Sequence, residues 1–204
     1  QQDPIGNKDL VKQALDYMEQ EVDPAVECFL CLSGLKLDFV RETGTPEETL
    51  KEAQTSLSIA DDSEHHLSTI YLTMVEVAYE QGDWEHLLQW AIEAESNARK
   101  AERENRLAAT LLWLAVHAQH IGQVDRAEIL RQQAEHRASR YGAFIGGGYY
   151  TALTAYHEEG GRLQTALDTQ QAYLDHLVGK SKPFRESQTR LTIIRLKKAL
   201  GQPH

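Results

Sequence analysis

Cysteine is scarce in this chain: Cys28 and Cys31 are the only two among 204 residues. Two thiols three positions apart cannot build a disulfide framework, so small stapled secreted domains are disfavoured and a reducing, cytoplasmic setting is expected. Long hydrophobic runs are missing too. No stretch approaches the roughly 18–20 continuous apolar residues of a membrane span, and residues 1–5 lack the basic and apolar regions of a signal peptide. Positive charge is in short supply, with 21 Lys and Arg against 31 Asp and Glu and a formal net charge of −10. Nonspecific nucleic-acid binding needs a basic surface and is therefore disfavoured, and no membrane partner is expected.

The charge is unevenly spread. Residues 1–100 carry 7 Lys and Arg against 21 Asp and Glu, a net of −14; residues 101–204 carry 14 against 10, a net of +4. Such a split can orient a partner or a second copy of the chain.

What is present is helical periodicity. Leu10, Val11, Ala14, Leu15 and Met18 predict a short amphipathic helix over 8–20, and Asp23-Pro24 opens a long one over 25–42. Thr45 and Glu48 have capping-box spacing at the start of a helix running to about Ile59. Asp61-Asp62-Ser63 caps the next, whose stripe is Leu67, Ile70, Tyr71, Met74, Val75 and Ala78. Further helices are predicted over 84–104 and 106–121, after Gly122 to about Tyr141, over 149–159, from the Gly160-Gly161 turn to Leu177, and over 184–200. Gly146-Gly147-Gly148 is expected to be a flexible loop between helices. No strand signal of comparable length occurs.

Four glycines punctuate this pattern. Gly44, Gly82, Gly122 and Gly161 are spaced by 38, 40 and 39 residues, one helix–turn–helix unit per period. Five residues after each stand Thr49, Leu87, Ala127 and Ala166; seven before each stand Leu37, Val75, Ala115 and Thr154. Small or medium side chains there let two antiparallel helices approach closely.

In this register the chain resembles the tetratricopeptide repeat family. Gly82-Asp83-Trp84 and the run from Gly122 to Ala127 look much like that family's central turn. The 38–40-residue period exceeds the family's usual repeat of about 34 and is similar to the long-repeat MalT-like subgroup of bacterial regulators. The resemblance implies an all-α, right-handed superhelix of about four helix pairs, over 25–60, 63–104, 106–141 and 148–178, with a capping helix over 184–200, in one domain. It implies a noncatalytic scaffold for a protein or peptide, part of a signalling or transcriptional regulator.

The first helix of each pair is then expected to line the binding face. That places Cys31, Gly34, Asp38, Arg41 and Glu42 there from the first unit, and Thr69, Leu72, Glu76, Tyr79 and Glu80 from the second. Ala109, Leu112, Val116, Gln119 and His120 follow from the third, and Gly148, Thr151, Ala155, Glu158 and Glu159 from the fourth. Of these, Asp38, Glu42, Leu72, Glu76, Tyr79, Glu80, Leu112, Val116, Gln119, His120 and Glu158 are the candidate groove residues, an acidic, partly apolar set suited to a basic or amphipathic partner.

Other chemistry has thinner support. Cys28 and Cys31 have CxxC spacing without the second pair that a metal site needs, and read as buried small hydrophobes. His117 and His120, or His65 and His66, lack a third ligand, so neither metal nor cofactor is expected, and no nucleophile–base set marks an enzyme. The alternatives are self-association through the two oppositely charged halves and, further behind, a metal or small-molecule sensor.

Overall fold

The computed structural model describes residues 36–37, 40–41, 44–60, 64–141, 146–177 and 183–203. The segments predicted over 8–20 and most of 25–42 lie outside these residues, as do Cys28, Cys31, Gly34, Asp38, Glu42 and Asp61-Asp62-Ser63.

The described chain is all-α, with no strand among the described residues. Helical backbone at 36–37 and 40–41 precedes α1 (Pro46–Ala60), α2 (Glu64–Gln81), α3 (Trp84–Lys100) and α4 (Glu104–His120). Then come α5 (Val124–Tyr141), α6 (Gly147–Glu159), α7 (Leu163–Leu177) and α8 (Pro183–Ala199). The expected capping box forms at α1: Thr45 N–H donates to Glu48 Oε2 at 2.8 Å, and Glu48 N–H to Thr45 Oγ1 at 3.3 Å.

The glycine register holds with one displacement. Gly82, Gly122 and Gly161 have φ of 70°, 76° and 68°, left-handed values that favour a residue without Cβ. Gly44 is not among them. It ends its turn by close approach instead, since a Cβ there would lie 2.8 Å from the Val40 carbonyl oxygen. The fourth left-handed glycine is Gly201, with φ 68°, 40 residues after Gly161.

All four turns share one hydrogen-bond pattern. Gly82 N–H donates to Tyr79 O and Asp83 N–H to Ala78 O, and the same pair recurs at Gly122, Gly161 and Gly201, at 2.8–3.1 Å throughout. Helix α8 therefore ends in the same way as α2, α4 and α6.

Two boundaries depart from the sequence expectation. Helix α3 stops at Lys100, because Glu102 takes the left-handed position at φ 51° and closes a similar turn without glycine. Gly147 and Gly148 belong to α6 and are not a flexible loop. Gly147 is buried, and a Cβ on it would stand 2.5 Å from the Tyr173 hydroxyl and 2.6 Å from Arg185 Nη1, so the glycine lets these two side chains approach α6 closely.

Two compact units divide the chain within α3, over residues 1–97 and 98–204. In the first, α1 packs on α2. Leu37, Ala53, Ile70 and Met74 form its core, flanked by Leu50, Leu57, Leu67, Tyr71 and Trp90. In the second, α4 packs on both α5 and α6, α6 on α7, and α7 on α8. Helix α4 is the central element: every residue from Leu107 to Val116 is buried, so it is apolar on all sides. Ala166, Leu167, Leu174, Ile193 and Leu196 form the core between α7 and α8. Of the register positions expected at close helix contacts, those five after and seven before each glycine are buried, whereas those two after it, Pro46, Trp84, Val124 and Leu163, are not, and Val124 is exposed, because they open the following helix at its surface end.

Candidate functional site

The candidate surface lies at the C-terminal ends of the first helices, and each unit builds its portion separately. In the first unit Glu76 is buried and forms an ion pair with Arg41. Glu80, four residues on and therefore one turn along the same face, lies at the surface. Loss of hydration raises its carboxyl above the ordinary range, with the Arg41 charge partly offsetting this. Tyr79 meets Trp84 edge-to-face at 5.8 Å between ring centres. Asp83 caps α3 by accepting from the His86 N–H at 3.2 Å, and that bond, with the His86 ring, holds its carboxyl below the usual value.

In the second unit Glu158 grips Arg195 of α8 through two bonds, at 2.7 and 2.9 Å. His120 Nδ1 stands 3.3 Å from Glu159 Oε2, joining the ends of α4 and α6. Gln119 is half-buried beside His120.

The expected groove set is therefore split. Leu72, Leu112 and Val116 are buried within the protein and present no surface to a partner. For Leu112 and Val116 the physical reason is that they fall within the stretch of α4 buried from Leu107 to Val116, on which both α5 and α6 pack. Glu76 and Glu158 have basic partners within the chain, so the acidic surface is smaller than the sequence implies. Tyr79, Glu80, Gln119 and His120 retain surface, while Asp38 and Glu42 lie outside the described residues. Among the described residues no three His, Cys, Asp or Glu converge as a metal site would require.

A polar network on α5, α6 and the turn before α7 carries no signal in the sequence. Arg131 binds Glu128 through Nε at 2.8 Å and Nη2 at 2.6 Å and also bonds Glu135, and the Tyr156 hydroxyl donates to Glu128 at 3.1 Å. Hydrogen bonds from Arg131 and Gln132 bring the Glu128 carboxyl down to about 2. Arg162 lies over the Tyr156 ring, 4.6 Å from its centre, and donates through Nε to His157 Nδ1 at 3.2 Å.

An accepting Nδ1 beside a guanidinium keeps the His157 imidazole neutral. Burial first, then the charges of Arg162 and Arg131, push its pKa from 6.5 down to about 4, against Glu128. Between those two values the unfolded chain binds a proton that the folded chain refuses. Stability from this residue is thus full above pH 6.5, declines as pH falls toward 4, and is lost below it. The difference between urea midpoints at neutral pH and near the lower value should be smaller in His157→Gln than in the parent. An equal difference in both would remove His157 as a source of acid sensitivity.

No protein-family model matches the chain, and no curated protein matches it. Among solved structures, the crystal structure of BtubC (BKLC) from P. vanneervenii is similar, with a TM-score of 0.57 and 16% sequence identity. The match covers 89% of this chain and 72% of that one. At this identity the likeness is one of fold.

Proposed function

We propose that the chain is a noncatalytic, cytoplasmic helical-repeat scaffold of the tetratricopeptide type that binds a protein or peptide. The observation that carries this reading is the recurrence of one glycine turn at Gly82, Gly122 and Gly161. Each turn sets the same two positions of a first helix at the surface end: Tyr79 and Glu80, Gln119 and His120, Glu158 and Glu159. A scaffold that repeats its backbone while varying the side chains at two positions is suited to recognition rather than to chemistry. In the first unit an exposed carboxylate, Glu80, and the Tyr79–Trp84 ring pair suit a basic side chain of a partner. Self-association through the oppositely charged halves, −14 over residues 1–100 and +4 over 101–204, is the second reading.

The test is a partner isolated by pull-down and its affinity measured against a Tyr79→Ala, Glu80→Lys variant. Binding should weaken at least about tenfold, as expected for removal of an aromatic anchor and reversal of a contacting charge. Unchanged affinity, with the helical signal intact, would move the binding surface elsewhere.

A further inference from the structure

Helix α6 begins without a side-chain cap. Its N-cap residue is Gly146, and no other side chain accepts from the first turn. Tyr149 N–H donates to Gly146 O at 3.1 Å. The N–H groups of Gly147 and Gly148, the first two of the helix, point along its axis with no described acceptor. Gly146 is exposed, and a Cβ placed on it would meet no described atom within 4 Å, so the approach to these groups is open.

Two donors from other helices converge on the same end. A Cβ on Gly147 would tilt toward the N-terminal end, as helical Cβ atoms do. There it would stand 2.5 Å from the Tyr173 hydroxyl of α7 and 2.6 Å from Arg185 Nη1 of α8. Tyr173 is only 6% exposed, and its ring is fixed by stacking on Tyr150 with centres 4.5 Å apart. A phenol buried to this degree ordinarily recovers a hydrogen bond for its lost hydration. Among the described residues the Tyr173 hydroxyl has none, and Arg185 has no ion pair.

The carboxylates nearest in sequence are engaged elsewhere, since Glu186 accepts from Arg190 and Asp175 from Gln171. The stretches that join α5 to α6 and α7 to α8, residues 142–145 and 178–182, contain no Asp or Glu.

We propose that Gly147, Gly148, Tyr173 and Arg185 form an anion site that takes a phosphate dianion, free or as the terminal group of a monoester. The partial positive charge of the α6 N-terminus and the guanidinium supply the attraction. A carboxylate offers two oxygens in one plane. These donors arrive from three helices, a spread that suits a tetrahedral group with at least three acceptor oxygens. The glycine N–H groups and Arg185 bind phosphate oxygens, and Tyr173 donates the hydrogen bond that it makes to nothing else. The site belongs to the second unit and shares no residue with the Tyr79–Glu80 surface, so failure of either leaves the other standing.

The test is a titration of the 204-residue chain, labelled with heavy nitrogen, with sodium phosphate at constant ionic strength, read on the glycine amide resonances. The Gly147 and Gly148 amides should shift saturably, and sodium acetate or chloride should not reproduce the shift. Arg185→Gln should weaken binding at least about tenfold, as expected for loss of a charge-assisted hydrogen bond. Should that variant fail to fold, Arg185→Lys, which keeps the charge and loses the planar fork, should still weaken it. Tyr173→Phe should weaken binding several-fold. It should melt with the parent in phosphate-free buffer, because its hydroxyl has no partner in the protein, and gain less from added phosphate.

Amides that do not move, that move equally with acetate, or that keep the parent's midpoint in the Arg185 and Tyr173 variants overturn the proposal. Methyl phosphate distinguishes the two sources of the dianion. Binding as tight as that of inorganic phosphate supports a phosphoryl group carried on a larger molecule, and its exclusion supports free phosphate.

Discussion

Glu76→Lys should cost about 3–5 kcal/mol of stability, the range for breaking a buried ion pair by removing one partner. The Glu76 side chain is 8% exposed and its partner Arg41 is 30% exposed. The substitution puts a second cation next to Arg41 at a buried position, so desolvation and repulsion add. Against a typical total of about 5–15 kcal/mol, this loss is a large share. The urea midpoint should fall with little change in slope. Glu80→Lys, one turn away at the surface, should cost under about 1 kcal/mol. Equal losses in the two variants would contradict the burial of Glu76. Replacing both members, Glu76→Leu with Arg41→Leu, should recover part of the loss, because no charge is then stranded.

Trp113→Ala should be as damaging, at about 3–5 kcal/mol, the usual cost of truncating a buried aromatic to alanine. Trp113 is the largest side chain with no exposed surface, and it sits on α4, the helix on which both α5 and α6 pack. Its removal opens a cavity in a helix that is enclosed all round and cannot slide to fill it. Trp113→Phe, which keeps most of the volume, should lose less than half as much. The other tryptophans, Trp84 and Trp90, are half-buried, so intrinsic fluorescence of the alanine variant should shift toward that of solvated indole. A midpoint within about 0.5 kcal/mol of the parent would place Trp113 outside the core.

Much of the fold is legible in the sequence because its signals are local. Period-3.6 apolar stripes, the Thr45–Glu48 capping box and the glycines at a fixed spacing each report on a few consecutive residues. They mark seven of the eight described helices to within a few residues; the exception is α3, which ends earlier because a glutamate, Glu102, adopts the conformation usually reserved for glycine. Gly44 has the spacing of a turn anchor without its dihedral angles, whereas Gly201 has both. Spacing alone does not separate a glycine needed for its φ from one needed for close approach.

The candidate surface is less legible. Arg41 and Glu76 are 35 residues apart, and Glu158 and Arg195 are 37 apart. Nothing in either neighbourhood announces the pairing. Leu112 and Val116 fall on the expected groove face by register, yet they are buried. A helical wheel gives a face but not what covers it.

The sequence by itself determined the all-α class, the place of the turns and the small residues at close helix contacts, since these follow from backbone sterics and local hydrogen bonding. Tertiary structure decided which polar side chains remain at the surface. Packing set Glu76 against Arg41 in the first unit and Glu158 against Arg195 in the second, leaving Tyr79 and Glu80 at the surface of the first and His120, Leu191 and Ile194 at the surface of the second. Charge neutralisation and burial are properties of neighbours in space, which only the folded chain brings together.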